Sequence, residues 1–349
     1  MLPIVYALNA HAGYRCRRSG ACCTAGWTIP VEPHLRPLIG RTWLEPDTDG
    51  ACPRFDRATG QCSVQRDHGE AALPVSCHQF PRRALVDDRG ISVTLSHYCP
   101  TAATMLLDSA VPLTVVARPP GFPPDRAYEG LDARGEWPPL LRPDVLFDTG
   151  SYARWEAFMV EALGASTAAP GAAIDALAAV AEHLRRWNIH DGPLDAWTAR
   201  VLSGAEPLHP GIHRERYGPY RAQAAFRRVA DAVPDGLSRP DLPADCDASD
   251  HQWVAPAWEA LAPRLNRYLG ARAFASWTAY QGRGVRTQIA ELMATAAVLR
   301  IECVRAASAA GRLLDPKMVL EAVRATDLLL VHLADRDRLV PWFTEAEKN

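Results

Sequence analysis

The sequence predicts an α+β fold: a small irregular N-terminal cysteine-cluster module with short strands, followed by a mainly α-helical C-terminal domain. Three observations carry that expectation. Seven of the nine cysteines fall within the 84 residues from 16 to 99, where even spacing would place about two. The same stretch is rich in turn signals and poor in helical periodicity. From residue 151 onward the 3.6-residue period dominates. The expected boundaries are 1–110 for the cysteine-cluster module, 111–150 for a proline-rich linker and 151–349 for the helical domain.

Within the module, "ISVTLS" (91–96) alternates apolar and polar positions and reads as a strand. "RRALV", just before the turn sequence "DDRG", is its expected hairpin partner. "PTAATMLLD" (100–108) predicts a helix with Pro100 in its first turn. The linker carries "ARPPGFPPDRAYEG", where prolines cannot donate to ladders. Helices are expected over "YARWEAFMVEALGA", over 173–187 and over 220–233. One more is expected over 253–277, interrupted by prolines, and a long Ala-rich one over 285–310 that ends at Gly311. Asp315-Pro316 reads as N-cap and first residue of the next helix.

The chain has 349 residues, 48% hydrophobic and 22% charged, with a formal net charge of −2. That is an ordinary globular composition with room for a full core. It offers no broad basic field for nucleic acid. No run of about 18 apolar residues suggests a membrane span, and "MLPIVYALNAHAGYRCRR" lacks the basic start of a signal peptide. A cytoplasmic protein with reduced thiols is the expectation. No G-x-G-x-x-G follows a strand, and no P-loop, C-x2-C pair or G-x-S-x-G elbow occurs.

Cys16, Cys22, Cys23, Cys52, Cys62, Cys77 and Cys99 are the candidate metal ligands, because thiolates are soft donors suited to zinc and iron–sulfur clusters. Several sit beside Gly or Pro, as in "GACC", Cys52-Pro53 and Cys99-Pro100, which permits tight loops with free amides. An odd count without an export signal disfavours a disulfide framework. Cys246 and Cys303 are isolated and read as small buried hydrophobes. His34, His68, His78 and His97 share the module and are alternative ligands.

Three blocks, "YRCRRSGACCTAGWTIPVE" (14–32), "CPRFDRATGQCSVQRDHGEAALPVSCHQFPRR" (52–83) and "ISVTLSHYCPTAATMLL" (91–107), resemble the flagellin lysine-N-methylase family, within the CxxCxxCC cysteine-cluster proteins. The matching positions include the seven cysteines, Gly26, Trp27, Pro81 and Arg82. Two departures stand out: Ser19 occupies the place of a further family cysteine, and "SHYCP" is one residue longer than the usual approach to the last cysteine.

The resemblance implies an iron–sulfur cluster, 4Fe-4S in type, or zinc. It also implies S-adenosylmethionine as methyl donor and a lysine-bearing protein, flagellin-like or other, as substrate. Such a transfer needs a neutral amine and a pocket that excludes water. Asp67, His68, Glu70, His78 and Tyr98 are the candidate proton acceptors. Arg82 and Trp27 are the candidate cofactor contacts, with Arg83 a second candidate for the cofactor carboxylate. The alternative is a non-enzymatic metal protein, structural or sensory, whose helical domain docks a partner.

Overall fold

The computed structural model describes residues 2–204 and 222–348. The fold is α+β, with a small mixed sheet and short strands near the N-terminus and helices beyond. Five strands make the sheet: β1 (Val5–Leu8), β2 (Arg82–Asp87), β3 (Gly90–Leu95), β4 (Val115–Ala117) and β5 (Gly130–Asp132). Their order is β4-β1-β3-β2-β5. β2 and β3 form the expected hairpin, in register from Arg82↔Leu95 to Asp87↔Gly90. β1 lies parallel to β3, and β5 parallel to β2. Gly90 has φ +135°, and a Cβ there would strike the carbonyl oxygen of Ile4.

The sheet is a partition. On one side Val5, Ala7, Val93 and Leu95 pack with Tyr14 and Phe122 in a small cluster. On the other, Leu8 and Leu85 join the large core built with the helices. The residues expected as a linker are woven into this sheet. They supply β4 and β5, and a small ribbon of Leu140–Arg142 with Val145–Leu146. The physical reason is position: β4 and β5 are three-residue edge strands, where one side of the backbone needs no donor.

The helices follow from their caps and apolar faces. α1 (Pro100–Leu107) starts with its proline in the first turn. α2 (Thr149–Ala165) is capped by the Asp148 side chain, which accepts from the Ser151 N–H at 2.8 Å. α3 spans Pro170–Leu184. The helix expected over 220–233 is seen as Ala222–Asp231; its expected first residues lie outside the described residues. The 253–277 expectation resolves into a π-helical turn Asp250–Val254, a short Ala255–Trp258 turn and α4 (Ala262–Ala273), with a proline early in each of the last two.

α5 (Val285–Ala310) is buried on most faces and is the axis of the helical part. It ends at Gly311, which takes a left-handed conformation at φ 61°. α6 (Pro316–Asp327) is capped by Asp315, whose carboxylate accepts from the Met318 N–H at 2.8 Å, and runs into a π-helical segment Leu328–Leu333.

Buried polar bonds tie sheet to helices. The Asp327 carboxylate, at the end of α6, takes the backbone N–H of His97 and a hydrogen bond from the Tyr268 hydroxyl at 2.6 Å. The Trp277 indole donates to the Ala84 carbonyl at 3.0 Å, and the Tyr280 hydroxyl to Asp87 at 2.8 Å. No described helix is long and apolar enough to cross a membrane.

Candidate metal centre

All seven N-terminal cysteines line one cavity of about 420 Å³, within the range of small-ligand sites. They reach it from separate loops. Cys22 and Cys23 lie on a single 3-10 turn, Ala21–Thr24. Gly20 opens that turn with φ 73°, and a Cβ there would meet the Phe55 ring at 2.8 Å. The Cys52 amide then donates to the Cys23 carbonyl at 2.6 Å, which pins the second ligand loop to the first. Cys62 ends the ribbon Phe55–Asp56 with Gln61–Cys62 and stands at the N-terminus of the short helix Ser63–His68. Cys77 lies on the helical turn Val75–Gln79, and Cys99 immediately precedes α1.

Every cysteine is a free thiol. Cys16 is exposed and Cys99 is buried, with the other five between them. The Cys22 and Cys23 sulfurs are 3.9 Å apart. A hydrogen bond from the Cys23 thiol brings Cys62 down to about 6, against its burial, with help from the Gln65 and Val64 amides and the charge of Arg54. A separate hydrogen-bonding contact with Cys23 lowers Cys22. Cys23 itself is held high by its bonds to Cys22 and Cys62. Burial, and then the negative charge of Cys22, raises Cys77. The set thus contains thiols that ionise early beside thiols that resist it, as expected where several like charges share one space.

Donor chemistry fits a thiophilic metal group. Spacing fits it only with side-chain movement: among the described residues no three Cys, His, Asp or Glu side chains already converge on one ion position. Cys246 and Cys303 lie elsewhere, both buried, in the helical part.

Of the candidate proton acceptors, Glu70 and His78 line the cavity. The His78 ring lies 3.4 Å from Glu70, and burial followed by the charge of Arg126 lowers its pKa. Asp67 is exposed and ion-paired with Arg66 at 2.8 Å, outside the cavity, and His68 is exposed as well. Tyr98 stands behind the wall. Its ring packs on Trp27 at 5.5 Å within a cluster that includes Phe80 and His332.

Trp27 and Arg82 both line the cavity. Strand alternation sends Arg83 to the opposite face of β2, where its guanidinium stacks on Trp277 at 4.4 Å. His34 is exposed, and His97 is buried against Asp327, away from the thiols.

The chain matches no family model, no curated protein and no solved structure.

Several lining residues carry no sequence signal. Tyr14 reaches the Cys99 sulfur at 3.6 Å through its hydroxyl. Arg126 comes from the proline-dense stretch and donates to the His78 carbonyl at 3.0 Å. Five arginines (Arg15, Arg18, Arg54, Arg82 and Arg126) line the cavity against one carboxylate, Glu70.

Proposed function

We propose that the seven-thiol cavity holds a thiolate-ligated metal group, an iron–sulfur cluster or zinc. Beside it, S-adenosylmethionine would donate a methyl group to the lysine ε-amine of a protein substrate. The observation that carries the metal half is convergence: seven cysteines spread over residues 16–99 face one cavity, all unpaired by disulfides. Buried free thiols scattered for packing have no reason to meet in this way. The methyl-transfer half rests on the three sequence blocks and on the cavity being of cofactor size.

When bound, an iron–sulfur group supplies a redox or Lewis-acid centre, and zinc supplies a fixed charge and a structural tie. The chain's own residues have separate tasks. Trp27 offers an aromatic face, and Arg82 a cation, to the methyl donor. His78, which lines the cavity, would take the proton that the incoming lysine must lose. The flanking guanidiniums favour that loss, since neighbouring cations hold an amine neutral.

A structural metal is the second reading, and one observation favours it. The stretch that carries Cys52 and Cys62 packs on a core of only six buried apolar residues, Val31, Leu35, Ile39, Leu44, Val64 and Ala72. So small a cluster gains stability from a metal staple.

Anaerobic purification with metal analysis and a visible spectrum tests the metal half. Iron or zinc is expected in the wild type and is lost in Cys22→Ser and Cys77→Ser; a metal-free wild type, or full retention in both variants, overturns it. Transfer of labelled methyl from S-adenosylmethionine to candidate proteins tests the rest. A metal-loaded protein that neither binds nor consumes the cofactor leaves the structural reading.

A further inference from the structure

We propose that the cavity contains, apart from its thiols, a subsite for an oxyanion, a carboxylate or a phosphate group, held between Arg82 and Arg126. It stands on geometry independent of what the cysteines hold. The two guanidiniums come from distant segments, β2 and the proline-dense stretch, yet converge on one acceptor. Arg82 donates to the His78 carbonyl at 3.4 Å and Arg126 at 3.0 Å. Two like charges meeting at one neutral carbonyl repel each other and call for a counter-anion.

Among the described residues the one ion pair of either is Arg126 with Glu70, at 3.7 Å, and Glu70 is 59% exposed. One loosely held carboxylate at the rim does not neutralise two partly buried cations.

Unmet donors point the same way. The Nε atoms of Arg82 and Arg126 and the indole nitrogen of Trp27 are buried without a hydrogen-bond partner among the described residues. All three residues line this cavity. Each orphan atom is a donor, so the missing species is an acceptor. Water would satisfy the donors but not the charge. A planar or tetrahedral oxyanion satisfies both, because the guanidinium fork matches carboxylate and phosphate oxygens. The thiol set, with Arg54 beside Cys62, has a cation of its own. Arg126 also reaches the His78 ring at 3.1 Å, but neither that contact nor the shared carbonyl supplies a negative charge to the two guanidiniums.

Calorimetric titration of the protein as purified, with inorganic phosphate and with acetate, tests the subsite. Metal content is measured on the same samples. Saturable binding of at least one anion is expected. Preference for phosphate assigns a phosphate-bearing ligand, and preference for acetate a carboxylate-bearing one. Arg82→Gln and Arg126→Gln should each weaken binding about tenfold or more with metal content unchanged, the scale of a lost charge-assisted bond. Glu70→Gln, an exposed change that leaves the fold intact, should tighten binding a few-fold by removing the competing carboxylate.

Absence of saturable binding, or undiminished binding in both arginine variants, overturns the proposal. So does loss of metal together with the anion, since the arginines would then be serving the thiolates. A wild type that binds anion but carries no metal would overturn the metal reading and leave this one standing.

Discussion

His11 shows what burial does to one ionisable side chain. It is 1% exposed, and its Nε2–H donates to the Ala102 carbonyl at 3.2 Å. Burial, followed by the neighbouring His97, lowers its pKa to about 3. The folded chain therefore refuses a proton that the unfolded chain accepts below pH 6.5. Stability from this residue is complete above that pH and is lost as pH falls toward the folded value. Between pH 7 and pH 5 His11 alone should cost about 2 kcal/mol. Urea midpoints at the two pH values check this, and His11→Gln should flatten the difference. His332, lowered to about 4 by burial and Arg83, acts with the same sign. Residue identity was legible in the sequence where chemistry is concentrated. The seven cysteines announced themselves by clustering, and Trp27, Arg82, Glu70 and His78 fell on the cavity wall. Arg126 was not legible, because nothing local to "PPDRAYEG" says that its arginine folds back onto residue 78. Asp67 has the right chemistry in the sequence, but helix geometry turns it to Arg66 and solvent.

Secondary-structure elements were read best where local rules act alone. The β2–β3 hairpin, the Asp315-Pro316 start and the Gly311 stop all depend on a few adjacent residues. β4 and β5 depend on a sheet edge assembled from distant chain, so prolines nearby masked them. The hairpin turn also fixes how β3 meets the N-terminus. The Ile91 amide donates to the Ile4 carbonyl at 2.9 Å, and Gly90 lies directly under that same carbonyl. Gly90→Ala adds a clash with fixed backbone to an unfavourable φ, so β1 must leave its place beside β3. A loss of about 2–4 kcal/mol is expected, larger than most surface substitutions. Guanidinium denaturation measures it, and a loss below about 0.5 kcal/mol would show that the turn relaxes freely.

The whole molecule is held by contacts that ignore the boundary near residue 110. Leu8, Leu85 and Leu106 belong to the same core as Trp155, Tyr268 and Val298. Asp327 is fully buried; burial pushes its carboxyl up, but hydrogen bonds from His97 and Tyr268 and the charge of Arg272 leave it well below the usual range. Breaking such a site by deleting the helical part leaves buried groups unpaired. A fragment of residues 1–110 also lacks β4, β5 and Arg126. It should show no cooperative unfolding by circular dichroism even when metal is supplied, whereas the full chain should melt in one transition. A folded fragment would restore an autonomous module. Composition and period indicated both halves of the fold, but a shared core is a property of their meeting, which no single segment encodes. The thiols add one more consequence at this scale. Cys16 is open to solvent, Cys99 lies at 5% exposure on the floor, and the rest stand between. Access therefore runs in one direction, and so does time: an arriving ion, oxidant or chelator encounters the rim first and the floor last.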